Sequence, residues 1–162
     1  MKIGLTGDTH NNLKNIGQIC SLFNKIKVDF VIHTGDITLP KSLEAFNKLN
    51  MPLKGVYGNN DQGEIEGLNK ICSKYNFEFY DSFRLDVVLN RKIYTVHDPL
   101  DIQENFFERG NIILHGHTHR YRNEKFREAY LFNPGECAGM ISGKNSIGIV
   151  TVCEPKLEII NF

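Results

Sequence analysis

Apolar and polar positions alternate along this chain with two different periods. Lys2–Thr6 and Phe30–His33 are short apolar runs of strand length, and residues 53–57 form a third. Between the runs the period lengthens. Leu13, Ile16, Cys20 and Phe23 recur at helical spacing; so do Leu43, Phe46 and Leu49 after Pro40, and Ile65, Leu68, Cys72 and Tyr75. The predicted order is β-α-β-α-β-α, which argues for a parallel sheet covered by helices. All its strands would end at one edge, where open α/β sheets bind ligands.

The second half predicts more strands. Residues 83–89 and 92–97 flank the turn-like Asn90-Arg91 and read as a hairpin. Residues 101–109 read as a helix, with Asp101 as N-cap, Glu104 three residues on and Gly110 closing it. Residues 112–115, 121–126, 130–132, 147–152 and 157–160 read as further strands. The expected fold is an α/β sandwich of two packed sheets with helices on the outer faces.

Composition narrows the picture. The 162 residues suit a single domain spanning 1–162, and 41% hydrophobic with 23% charged residues reads as a soluble globular chain. No apolar run approaches the ~18 residues that cross a bilayer, so no membrane association is expected. The opening MKIGLTGD is too polar for a secretory leader, so the cytoplasm is the expected compartment. Lys plus Arg and Asp plus Glu both number 19, and a net charge of zero argues against strong nucleic-acid binding. Arg120, Arg122, Lys125 and Arg127 lie close together but read as a solvated strand. Cys20, Cys72, Cys137 and Cys153 form no CxxC pair; the first two sit at helical spacing among core positions.

The candidate chemistry lies where strands end. Gly7-Asp8-Thr9-His10 follows the first, Gly35-Asp36 the second and Gly58-Asn59-Asn60-Asp61 the third. Later strands run into His97-Asp98 and His115-Gly116-His117-Thr118-His119. Five strand ends thus carry carboxylate, amide or imidazole groups, and a sheet would gather them at one edge. Mixed Asp, His and Asn ligands without thiolates suit a catalytic metal site rather than a structural zinc. The set exceeds what one open ion needs, which suggests two ions with a carboxylate between them. Two adjacent cations neutralise phosphoryl oxygens and acidify bound water, so hydrolysis of a phosphate ester by that water or hydroxide needs no Ser or Cys nucleophile.

D-x-H, GD, GNxD, a lone His and GHTH in this order resemble the calcineurin-like metallophosphoesterase superfamily, in particular its small archaeal and bacterial phosphodiesterases. The resemblance runs from Asp8 through the Asn133-Pro134-Gly135-Glu136 turn. It implies a two-sheet sandwich and two divalent ions, manganese or nickel first, with zinc, iron(II) or cobalt as alternatives. Asp8, His10 and His119 would bind the first ion, Asn59, His97 and His117 the second, and Asp36 would bridge. Asp36, Asn59 and His117 are the candidate catalytic residues. A small phosphoester is the implied substrate, and a homo-oligomer, dimer or tetramer, the implied assembly.

Two positions depart from that pattern. Asn60 stands where larger relatives carry a His that protonates the leaving group, and Asp98-Pro99 follows His97 where relatives often have Gly-His. Blander roles suit other residues. Asp8 and Asp36 taken singly read as helix caps, as do Asn11 and Asn12. His33 reads as a core histidine, His115 as lying one step too deep in its strand, and Asp61 as bonding nearby backbone or a ligand. Phe106 and Phe107 read as packing residues. If the chain stays extended, His117 and His119 share one side. The alternative function is a non-catalytic scaffold like the retromer's metallophosphoesterase-like subunit, but such scaffolds tend to lose metal ligands that this chain keeps. A nuclease subunit would need capping and DNA-binding elements not found here.

Overall fold

The computed structural model describes residues 1–141 and 143–162. The three apolar runs of the first half become β1 (Lys2–Thr6), β2 (Phe30–His33) and β3 (Leu53–Val56). They lie parallel, with Ile3 beside Phe30 and Val31 beside Leu53. The helical stretches become α1 (Leu13–Ile26), α2 (Pro40–Glu44), which tightens into a 3-10 turn over Ala45–Lys48, and α3 (Ile65–Tyr75). Asn12 caps α1 by accepting from the Asn15 amide at 3.0 Å. A short strand with no clear pattern of its own, β4 (Glu78–Tyr80), adds parallel to β3.

The second half supplies β5 (Phe83–Val88), β6 (Arg91–Val96), β7 (Ile112–Leu114), β8 (Arg122–Phe126), β9 (Ala129–Asn133), β10 (Ser146–Thr151) and β11 (Lys156–Asn161). Two sheets result, in the orders β11-β10-β1-β2-β3-β4 and β5-β6-β7-β9-β8. Ile3, Leu5, Ile32, Ile112, Leu114 and Phe132 fill the space between them, fully buried. Ile16, Phe23, Leu43, Phe46 and Leu68 join the first sheet to its helices. Among the described residues no helix is long and apolar enough to cross a membrane.

Two local expectations need correction. The hairpin turns at Leu89-Asn90, one residue earlier than expected, with both residues left-handed at φ 52° and 61°. Paired left-handed residues match the twist of the flanking strands. The helix expected over residues 101–109 is absent: two 3-10 turns, Pro99–Asp101 and Glu104–Phe107, stand there instead. Asp98 rather than Asp101 is the cap, and Gln103 is extended between the turns. Tertiary packing wins over local pattern, because the buried Phe106 ring stacks on Tyr94 at 3.9 Å and its carbonyl accepts from Asn111 Nδ2.

The cationic cluster around β8 is mostly neutralised. Arg122 pairs with Glu124, Lys125 with Glu128 and Arg127 with Glu104. Cys20, Cys72 and Cys137 are buried thiols and Cys153 is exposed.

Candidate metal centre

The parallel strands β1, β2 and β3 of one sheet and β6 and β7 of the other carry their C-terminal loops to a common edge. Each loop then breaks from extended backbone. Asp8, His10, Asp36, Thr38, His117 and His119 all sit left-handed, at φ between 46° and 72°. Six such non-glycine residues around one site store strain that the surrounding fold must hold. His117 and His119 therefore do not share a side by strand alternation: the chain has left β7 and is turned twice. Side-chain direction here comes from the turns.

The seven candidate ligands come together. Asp8, His10 and His119 offer atoms within 4.8 Å of one another, and so do Asp8, Asp36 and His97, which makes Asp8 common to both groups. Asn59 Oδ1 lies 2.8 Å from His97 Nε2 and 3.1 Å from His117 Nδ1. Those two nitrogens are 3.2 Å apart, and His97 Nε2 is 3.5 Å from Asp36 Oδ1. Such spacings are close to the edges of a coordination polyhedron with bonds of about 2.1 Å.

The hydrogen bonds behind the rings set the tautomers. His97 Nδ1 donates to the Thr34 carbonyl at 2.9 Å, so Nε2 turns a lone pair inward. His119 Nδ1 donates to the buried Glu136 carboxylate at 2.6 Å, which likewise aims its Nε2 lone pair toward Asp8, 3.8 Å away. His117 Nε2 faces Asp98 Oδ2 at 3.6 Å, leaving Nδ1 toward Asn59. His10 Nε2 is buried with no hydrogen-bond partner among the described residues. Lone pairs and carboxylate oxygens thus meet with few protons between them, an arrangement that cations satisfy. Burial pushes the Asp8 carboxyl up to about 7, against the pull of His119. The donor set fits divalent metal ions.

Neighbouring residues hold the set. Asn60 donates twice to Asp36, from its amide N at 2.9 Å and its side-chain Nδ2 at 2.7 Å. A Cβ on Gly58 would fall on Asp36 Oδ1, so only glycine lets these loops touch. The fully buried Asp61 accepts from the backbone N–H of Asp36, Ile37, Thr38 and Gly58, at 2.6–2.9 Å. Of its two expected roles, bonding backbone is the one seen. His33 is buried in the core between Thr9 and the Gly35 amide, and burial pushes its ring down to about 3. His115 is buried beside Asn133, outside the cluster.

Glu136 is the functional candidate that sequence reasoning missed. It lies in the Asn133-Pro134-Gly135-Glu136 turn directly after β9, a turn the sequence singles out without giving Glu136 a role, and its second oxygen accepts from the Met140 amide. A carboxylate behind a ligating imidazole fixes its orientation and raises its basicity. Glu136→Gln is expected to weaken metal binding about 10- to 100-fold, read by calorimetric titration. Affinity equal to the parent would remove Glu136 from the site.

Comparison with known proteins follows the same lines. Residues 1–155 match the family described as the calcineurin-like phosphoesterase superfamily domain. A phosphodiesterase of Methanocaldococcus jannaschii is 34% identical over 93% of this chain and 92% of its own. A solved archaeal phosphodiesterase superposes with TM-score 0.89 at 31% identity, over 100% of both chains. Yfce, a phosphoesterase from E. coli, superposes with TM-score 0.75 at 17% identity, covering 99% and 98%, a likeness of fold.

Proposed function

Because this chain belongs to the calcineurin-like phosphoesterase superfamily and is a hydrolase of phosphoric esters, we propose that it hydrolyses a small phosphodiester with water activated at a binuclear metal centre. One observation carries the reading: four imidazoles, two carboxylates and an amide oxygen converge with few protons between them. Asp8, His10 and His119 would hold one ion and Asn59, His97 and His117 the other, with Asp36 between. Manganese or nickel is what the family resemblance puts first, and the mixed set is equally compatible with zinc, iron(II) or cobalt. Bound there, the pair of ions would neutralise phosphoryl oxygens and lower the pKa of water for attack at phosphorus.

The chain's own residues orient this chemistry. Asn60 pins Asp36 through both its donors. An amide cannot protonate a leaving group, so that proton falls to water, and aryl esters are expected to react faster than alkyl esters. Thr34 and Glu136 hold His97 and His119 in the tautomers that face inward.

The test is hydrolysis of bis(p-nitrophenyl) phosphate before chelation, after it, and after return of manganese, nickel or cobalt. Loss and restoration of turnover are expected; full activity in the chelated protein would end the proposal. Metal uptake should also depend on pH. The Asp8 carboxyl, raised to about 7 in the folded chain, holds a proton below that pH and must release it to a cation. Apparent affinity is therefore expected to fall as pH drops below about 7 and to level off above it, checked by titrations at pH 6, 7 and 8. A scaffold role instead predicts a metal-loaded protein with no turnover on any phosphoester and a stable protein partner.

A further inference from the structure

A cleft of about 780 Å³ opens beside the metal centre and shares a wall with it, because His119 and Glu136 line both. A phosphoryl group needs only a small part of that space, which falls within the range of pockets that enclose whole small molecules. Its surface has two characters. Tyr121, Ile141 and Ile159 supply apolar area, and Tyr121 and Ile141 are 56% and 47% exposed. The Tyr121 ring is tethered, since its hydroxyl accepts from Asn123 Nδ2 at 2.9 Å. Arg120 and Lys144 supply charge. Among the described residues neither makes an ion pair, whereas nearby Arg122, Lys125 and Arg127 all do. The acid that lines the cleft, Glu136, is committed to His119 and the Met140 amide.

An exposed, tethered aromatic ring beside two uncompensated cations is suited to a flat neutral ring joined to a negatively charged group. We propose that this cleft seats the ester group that stays on phosphorus, and that this group is a nucleoside carrying a further phosphate. The assignment rests on the phosphodiesterase reading. In the reaction the bond to the other ester oxygen breaks. Water supplies the hydroxyl that remains on phosphorus and the proton that leaves with the alcohol.

Three p-nitrophenyl diesters share one leaving group and test the assignment with the metal-loaded protein: the methyl ester, the 5′-thymidyl ester, and the 5′-thymidyl ester bearing a 3′-phosphate. From methyl to thymidyl, kcat/KM is expected to rise about tenfold, the scale of one base stacked on an aromatic ring. The 3′-phosphate should add about three- to fivefold, fading at high salt. Tyr121→Ala should collapse the first ratio while Tyr121→Phe, which keeps the ring and loses only its tether to Asn123, retains most of it, and Arg120→Ala with Lys144→Ala should collapse the second. Ratios are insensitive to a general loss of folded enzyme. Equal rates on methyl and thymidyl esters, or ratios unmoved by these variants, would overturn the cleft assignment and leave the phosphodiesterase reading standing. No hydrolysis of any of the three would overturn both.

Discussion

An Asp36→Asn variant is expected to lose about a thousandfold or more in kcat/KM on bis(p-nitrophenyl) phosphate, equivalent to about 4 kcal/mol of transition-state stabilisation. The replacement has nearly the same shape. Asn also tolerates the left-handed backbone that Asp36 adopts at φ 59°. What changes is charge and acceptor count. Asp36 presents two acceptors to Asn60 and lies 3.5 Å from His97 Nε2. The variant would set one amide NH2 against another and remove the negative charge proposed to lie between the ions. Thermal stability should shift little, by about 1 kcal/mol. Kinetics and a melting curve on the same sample check this, and activity within tenfold of the parent would rule out Asp36 as the bridge.

The largest stability effect is expected at Asp61. Its carboxylate accepts four backbone N–H groups, three from the loop after β2 and one from the loop after β3. Truncation to Ala leaves those donors in a fully buried space without acceptors, each costing about 1–3 kcal/mol before relaxation. A net loss of about 3–5 kcal/mol is expected, or a melting temperature lower by about 10 °C or more. Asp61→Asn should fall between the two, because its carbonyl oxygen still accepts while its NH2 meets donors. The same bonds hold Asp36 and Thr38 left-handed, so turnover should fall together with stability. A urea midpoint for Asp61→Ala equal to the parent would show that the loops hold themselves.

The two residues differ in how readable they were. Asp36 and its fellow candidate ligands were legible because each follows an apolar strand run, and parallel strands must deliver their ends to one edge. Asp61 was legible as a residue bonding nearby backbone or a ligand, but which amides it holds was not, since no side-chain pattern records backbone partners. The turn that bears Glu136 was legible, but the role of its carboxylate was not, for a related reason. Its partner His119 is 17 residues away, and nothing in the turn says which ring the carboxylate meets. The helix expected over residues 101–109 failed because burying Phe106 against Tyr94 outweighs a weak local preference. The alternation argument for His117 and His119 failed because the chain is no longer extended there.

Apolar periodicity alone determines the strands other than β4, the three helices and the edge at which polar groups gather, because burying those faces admits few other arrangements. Residue type then determines that the gathered groups are hard and borderline metal donors. The tertiary structure alone decides which lone pair of each imidazole turns inward, since that depends on the Thr34 carbonyl and the Glu136 carboxylate behind the rings. It also decides the depth of the cleft beside the site. Loops from distant parts of the chain form both, and their left-handed turns are held by contacts that no local pattern encodes.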